Sequence, residues 1–224
     1  MSLRDKSLVP NEYYHIYNRG NGKNEIFLNE DDYDRFIKIL YVCNSEQSFN
    51  FRDYIVDPKI DAFDFERGTP LVSILAWVLM PNHFHIVLIS PRSDLGEGNN
   101  SISKFMKKVS TSYAMYFNKK YKRTGGLFEG TFKSRHIREK NYFDYIFSYV
   151  HLNPIKLIQN DWKEKGISDE SNAKDFLDKY EYSSFKDYFG PKRKQEKILN
   201  KGVLPSYFIC NHIKDLFNWI KKSS

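Results

Sequence analysis

Cysteine and long apolar runs are the features that this sequence has least of. Its 224 residues include only two cysteines, Cys43 and Cys210, which lie far apart and form no CxxC pair. This excludes a disulfide framework and a cysteine zinc site, and both thiols are expected to be free and intracellular. No apolar run approaches the roughly 20 residues that a membrane-spanning helix needs, and the first residues lack the apolar core of a signal peptide. We expect a cytoplasmic protein.

Acidic residues are also in deficit. The chain has 35 Lys and Arg against 28 Asp and Glu, a formal net charge of +7 and a pI near 9.1. A basic field attracts polyanions, which favours nucleic acid as a partner and, less strongly, an anionic membrane surface. The alternative is a basic surface that only keeps the protein in solution.

The basic residues concentrate between Lys104 and Lys140, a segment that contains eleven Lys or Arg and only two acids. Aromatic residues are interleaved with them, namely Phe117, Tyr121, Phe128 and Phe132. Cations for phosphates and aromatic platforms for unpaired bases are typical of a surface that binds single-stranded nucleic acid, whereas the plainer interpretation is a solvated helix face. The best candidates for phosphate contacts are Lys107, Lys108, Lys119, Lys120, Arg123, Lys133 and Arg135.

The order of predicted elements is β-α-β-β-α-β-α. Strands are predicted at 13–20, 71–80, 83–90 and 127–137, and helices at 29–45, 101–123 and 141–153, the last with Asn141 as N-cap and Pro154 as terminator. Residues 46–70 are interpreted as a solvated insertion with a short strand at 51–56. The order predicts an α+β fold, a ferredoxin-like antiparallel sheet with helices packed on it. We assign residues 1–190 to this domain and 191–224 to a basic link and a short helical tail.

Two histidines interrupt the apolar run "WVLMPNHFHIVL". Residues two apart share one face of a strand, so His83 and His85 point the same way and Phe84 points into the core on the other side. Two imidazoles side by side make half of a metal site. Such pairs also arise where histidines merely pack at a sheet surface.

The segment "SYVHLNP" carries Tyr149 and Asn153 four residues apart, hence on one face of a helix. Asn153 offers an amide oxygen as a third metal ligand, and Tyr149 a phenol that suits attack on a metal-polarised phosphoryl group. The competing interpretation is that the tyrosines of this helix form a core stripe and that Asn before Pro simply ends the helix.

Five segments in order resemble the REP-associated tyrosine transposases, within the one-tyrosine HUH (IS200-like) transposases of insertion sequences. They are "YYHIYNRGNGKNEIF", "WVLMPNHFHIVL", "GGLFEGTFKSRHI", "YVHLNPIK" and "YEYSSFKDYFG". The resemblance covers roughly residues 11 to 190 without 46–70. It implies a ferredoxin-like sheet, His83 and His85 as ligands on a central strand, and Asn153 helping to hold Mg²⁺ or Mn²⁺. It also implies Tyr149 as the nucleophile, rather than Tyr142, Tyr145, Tyr113 or Tyr116.

The resemblance further implies an enzyme that cuts single-stranded DNA near REP-like hairpins, forms a 5′-phosphotyrosine, frees a 3′-OH and rejoins strands, working at the nucleoid. Thr131 stands where relatives often have Arg, and Tyr182 where Trp is frequent. Two other functions stay open: a catalytically silent protein that binds hairpin nucleic acid, and a rolling-circle initiator or relaxase. Monomer and homodimer are both compatible with the resemblance.

Overall fold

In a computed structural model of the chain, which describes residues 8–47, 61–90 and 101–222, four strands form one antiparallel sheet. The strands are β1 (Tyr13–Arg19), β2 (Ser73–Met80), β3 (His83–Ile89) and β4 (Lys133–Ile137). Their order across the sheet is β2-β3-β1-β4, and every neighbouring pair is antiparallel. This is the order of the ferredoxin-like fold, which confirms the predicted fold class.

The helices follow the predicted order. They are α1 (Glu30–Val42), α2 (Ser101–Lys120), α3 (Lys140–Leu152), α4 (Trp162–Lys165), α5 (Glu170–Lys179), α6 (Phe185–Phe189) and α7 (Ile213–Lys222). None of the helices in the described part of the chain is long and apolar enough to cross a membrane. The strand predicted at 51–56 falls outside the described residues.

The two faces of the sheet are covered by different helices. Alternation in β3 sends Phe84, Ile86 and Leu88 to one face, where they join the buried apolar residues of α1 and α2. We call this side the α1–α2 face. Val87 and the β2 residue Val78 point to the other side, where they pack under α3, and we call that side the α3 face. Because β2 is covered on both sides, its sequence is apolar almost throughout.

Local chemistry explains where α1 and α3 begin and end. Asn29 caps α1 by accepting from the backbone N–H of Asp32, and three acids occupy the first turn. The predicted N-cap of α3 is wrong, because the helix starts at Lys140 with Glu139 as N-cap, which places Asn141 inside the helix. Helical structure does not end at Pro154, because residues Asn153–Leu157 continue as a 3-10 helix.

The residues after 190 pack against the rest of the molecule. Arg193 binds the buried carboxylate of Asp187 with its Nε 2.6 Å from Oδ1. Leu199 bridges to Ile74 of β2, which extends the sheet edge by one residue. The apolar side of α7 lies in the same cluster as α3. The basic link and tail therefore cover both the edge of the sheet and the back of α3.

Candidate active site

His83 and His85 stand on the α3 face of β3, at one end of the sheet. Opposite them in β1 are Arg19 and Tyr17, whose side chains share that face. Phe84 between the two histidines is fully buried on the α1–α2 face, as predicted. A cleft of about 460 Å³ opens here, and its lining residues are Tyr17, Asn18, Arg19, Lys23, Asn82, His83, His85, Glu129, Lys133, Tyr149 and Lys156.

The tautomer of His83 is set by its neighbour Asn82. Nδ1 of His83 lies 2.6 Å from the Asn82 side-chain oxygen, while the Asn82 amide nitrogen donates to the carbonyl of Lys23. Because an amide oxygen only accepts, Nδ1 carries the proton and Nε2 keeps its lone pair. Burial lowers the pKa of His83 to about 4, and the positive charge of Lys156 adds to the effect. His83 is thus a neutral imidazole with an available nitrogen.

His85 is buried and shares a hydrogen bond with a third histidine. Its Nδ1 lies 2.8 Å from Nε2 of His15 in β1, and the two rings are 24° from coplanar with centroids 5.0 Å apart. Burial lowers the pKa of His85 well below its usual value, and it lowers the pKa of His15 to about 3. His15 was not among the residues predicted for the site.

Tyr149 faces both histidines of this pair from α3. Its ring centroid lies 5.4 Å from that of His85 and 6.4 Å from that of His15, in edge-on contacts. Burial raises the pKa of Tyr149, while the Asn153 side chain and the charge of Lys163 act in the opposite direction. Nζ of Lys163 sits 5.3 Å from the centre of the tyrosine ring. Tyr149 is partly exposed and lines the cleft.

Asn153 places a buried amide next to His83 and Tyr149. The residue is 2% exposed, and its Oδ1 is buried without a hydrogen-bond partner among the described residues. Its side chain interacts with both His83 and Tyr149. A buried, unpaired amide oxygen calls for an electropositive partner. In the described part of the chain no three His, Cys, Asp or Glu side chains form a metal-binding cluster, so a cation here would need this amide beside the two imidazoles. An amide oxygen suits Mg²⁺ or Mn²⁺, and imidazole nitrogens suit divalent transition metals.

A further buried histidine fixes α3 against β2. His151, two residues after Tyr149, bonds through Nδ1 to the carbonyl of Phe147 and through Nε2 to the hydroxyl of Ser184, 2.9 Å away. Ser184 also accepts from the backbone N–H of Trp77 in β2. This connection joins the segments "YVHLNP" and "SSF" and holds the helix that carries Tyr149 in place.

The predicted phosphate-binding residues divide between the two faces. Lys133 and Arg135 project from β4 on the α3 face. Lys133 lines the cleft, and the Arg135 guanidinium lies over the ring of Tyr142 at 4.4 Å. The other five residues belong to α2 or the turn after it, on the α1–α2 face: Lys107, Lys108, Lys119, Lys120 and Arg123.

Several residues of this α2 group make contacts within the protein. Lys108 donates to the carbonyls of Ser45 and Gln47, and Lys120 pairs with the buried carboxylate of Asp32 at 2.8 Å. Phe117, proposed as an aromatic platform, is 1% exposed and belongs to the core. The α2 residues are therefore not brought to the histidine pair, and whether they bind DNA stays a prediction.

The structure brings other cations to the site that the sequence did not single out. Lys23 and Lys156 line the cleft, Lys163 covers Tyr149, and Arg19 pairs with Glu129 at the rim. Lys156 follows Asn153 by three residues, which in a 3-10 helix places both on the same side. This spacing is the sequence signal that could have identified Lys156. The departures Thr131 and Tyr182 lie elsewhere: Thr131 is exposed before β4, and Tyr182 stacks on Tyr33 of α1.

Comparison with known proteins adds a family match and a fold match. Residues 69–153 match the model of the family described as "Transposase IS200 like". This region contains β2, β3, α2, β4 and α3, and with them His83, His85, Tyr149 and Asn153. No curated protein matches the sequence.

A solved structure described as a REP-associated tyrosine transposase bound to a REP hairpin has the same fold. It is 13% identical, with a TM-score of 0.51 over 95% of this chain and 93% of that one. A bacterial tRNA(His) guanylyltransferase-like protein in complex with ATP is 14% identical, with a TM-score of 0.37 over 76% of this chain and 71% of that one. The second likeness is too weak to support any inference.

Proposed function

On the premise that residues 69–153 have the sequence pattern of the IS200-like transposases, we propose that this chain is a metal-dependent single-stranded DNA endonuclease and strand transferase. The observation that carries the proposal is that His83 and His85 of β3 line one cleft with Tyr149 of α3, while Asn153 at the end of α3 interacts with both His83 and Tyr149. The plainer interpretations of these residues as surface or core packing do not account for their convergence.

The metal-holding atoms in this proposal are Nε2 of His83, Nε2 of His85 and Oδ1 of Asn153. Both imidazoles have their Nδ1 engaged by a neighbour, so Nε2 is the ring nitrogen that would bind the cation. When bound, Mg²⁺ or Mn²⁺ stabilises charge that develops on the phosphoryl oxygens.

Tyr149 is the nucleophile in this mechanism. Its Oη attacks the phosphorus of the scissile phosphodiester, the bond from phosphorus to the 3′-oxygen breaks, and a 5′-phosphotyrosine forms. The phenol loses one proton and the departing 3′-oxygen gains one. Lys163 and Asn153 favour the phenolate, which opposes the effect of burial on the pKa. A 3′-OH attacking the phosphotyrosine reverses the step, so strand joining needs no external energy source.

The cleft cations suit the phosphates on either side of the scissile bond. Lys23, Lys133 and Lys156 line the cleft around the histidines, and single-stranded DNA is bound chiefly through such contacts and base stacking. Tyr17, half-buried beside His85, offers a ring for stacking. The fold match to a transposase bound to a REP hairpin supports hairpin DNA as the substrate.

The proposal is tested by incubating the protein with a pool of single-stranded DNA hairpins and Mn²⁺ or Mg²⁺. We expect cleavage with a covalent protein–DNA adduct, lost with EDTA and in Tyr149→Phe. Tyr145→Phe is the matched control, since Tyr145 stacks one turn away on the same helix. Salt-sensitive binding without cleavage would instead identify a silent hairpin-binding protein, and equal adduct yields in wild type and Tyr149→Phe would refute the assigned nucleophile.

A further inference from the structure

His15 is a buried polar residue for which the proposed chemistry has no step. It is 6% exposed and lies on β1, whose Tyr17 stands directly opposite His85 in the sheet. His15 is thus the diagonal neighbour of His85 on the α3 face. Its Nε2 lies 2.8 Å from Nδ1 of His85, and the planes of the two rings are only 24° apart. The two rings are therefore nearly coplanar and lie side by side, as a hydrogen bond between their in-plane nitrogens requires.

A hydrogen bond between two imidazoles allows only two arrangements. In one, Nδ1–H of His85 donates to His15, and Nε2 of His85 keeps its lone pair. In the other, Nε2–H of His15 donates, so the proton of a neutral His85 sits on Nε2. A doubly protonated ring has no acceptor nitrogen, so at least one ring is neutral. Only the first arrangement lets His85 ligate a cation through Nε2.

We propose that His15 is a positioning residue for His85: it accepts the Nδ1–H of His85 and thereby presents Nε2 of His85 to the divalent cation. This inference rests on the proposed function, because the cation belongs to it. His15 corresponds in this role to Asn82, which accepts from Nδ1 of His83. The two partners differ in one respect. The Asn82 oxygen can only accept, whereas His15 can donate or accept, so the tautomer of His85 depends on His15.

The two properties of the His15 ring are separated by two substitutions. His15→Phe keeps an aromatic ring beside His85 but has no acceptor. His15→Gln loses the ring but places an amide oxygen near the former Nε2. His136→Gln is the control. His136 belongs to β4, is paired with Glu12 and faces the other side of the sheet.

Two measurements on the full chain without DNA test the role of His15. NMR of the metal-free protein with ¹⁵N-labelled histidine reports the tautomer of His85, and titration with Mn²⁺ alone reports cation affinity. Wild type, His15→Gln and His136→Gln are expected to carry Nδ1–H on His85 and to bind Mn²⁺ with similar affinity. In His15→Phe we expect Nε2–H on His85 and Mn²⁺ binding weaker by about 10–100-fold, the usual cost of losing an outer partner of a metal ligand.

Three outcomes would overturn the proposal. The first is an Nε2–H tautomer of His85 in the metal-free wild type. The second is unchanged Mn²⁺ affinity in a folded His15→Phe protein. The third is a His15→Gln variant that binds Mn²⁺ as weakly as His15→Phe, which would show that an acceptor at this position does not account for the effect. If wild type bound no Mn²⁺, the proposed function would be contradicted, while the tautomers of wild type and His15→Phe would still decide whether His15 controls His85.

Discussion

The two faces of the sheet are built from the same strands but by opposite means. On the α1–α2 face, β1 and β3 contribute Ile16, Phe84 and Ile86, which are fully buried and need no specific partner. On the α3 face the same strands contribute His15, His83 and His85, and each ring has a hydrogen-bonded neighbour. Buried polar groups are costly unless paired. The α3 face therefore keeps a polar network where apolar packing would have been simpler, which points to function.

The basic residues of the two faces also differ, in whether they are bonded within the protein or line an open cleft. On the α1–α2 face, Lys108 and Lys120 stabilise the fold through bonds to backbone carbonyls and to Asp32. On the α3 face, Lys133 and Lys156 line an open cleft. The density of positive charge along α2 is thus a poorer guide to the site than the few cations around the histidines.

Removing the histidines of the α3 face should have the largest effect. We expect His83→Ala and His85→Ala each to slow Mn²⁺-dependent cleavage on the order of 10²–10³-fold, the cost typical of losing one electrostatic stabiliser of a transition state. His136→Ala, on the same sheet but the other face, should change the rate little. Single-turnover cleavage of a hairpin substrate measures this, and equal losses in all three variants would remove the distinction between the faces.

Acid should lower the free energy of unfolding through the buried histidines of the α3 face. Burial lowers the pKa of His15 to about 3 and that of His151 to about 4, while both are near 6.5 in the unfolded chain. Between these values the unfolded chain binds protons that the folded protein does not. The stabilisation is therefore complete above pH 6.5 and declines as the pH falls toward 4, by up to about 1.4 kcal/mol per pH unit for each histidine.

Denaturant unfolding in EDTA at pH 7 and pH 5 measures this loss in the free energy of unfolding. The variant His151→Gln should have a shallower pH dependence than wild type, because one titrating group is gone. His212→Gln, at an exposed position, should keep the wild-type slope. A free energy of unfolding that stays constant from pH 7 to pH 5 would contradict the buried, neutral state of these rings.

The smallest expected effect is on hairpin binding, when lysines of the two faces are replaced. Replacing Lys156 and Lys163 by Ala should weaken hairpin binding and reduce the slope of log affinity against log salt by about 1.4, roughly 0.7 for each lost contact to single-stranded DNA. The matched pair Lys107→Ala and Lys119→Ala, both exposed on α2, should leave the slope nearly unchanged. The reverse result would place the DNA along α2, as the sequence suggested.

The local sequence pattern was enough to predict which residues belong to the candidate site. The contacts between residues far apart in the sequence could not be predicted from it. The alternation around His83 and His85 predicted their shared face, and the four-residue spacing placed Tyr149 and Asn153 together on α3. The partnership of His15 with His85 depends on the register between β1 and β3, which the sequence does not display. The face that α2 covers and the burial of Phe117 depend equally on tertiary packing. Helix periodicity showed which side of α2 is apolar, but not which face of the sheet it meets.

The most direct test of the account is to locate the covalent nucleotide. After reaction of the wild-type protein with a hairpin substrate and Mn²⁺, proteolysis and mass analysis should find the phosphate on Tyr149, on the α3 face beside His83 and His85. A phosphate on another tyrosine, such as Tyr116 of α2, would contradict the account, and so would cleavage that leaves no tyrosine modified.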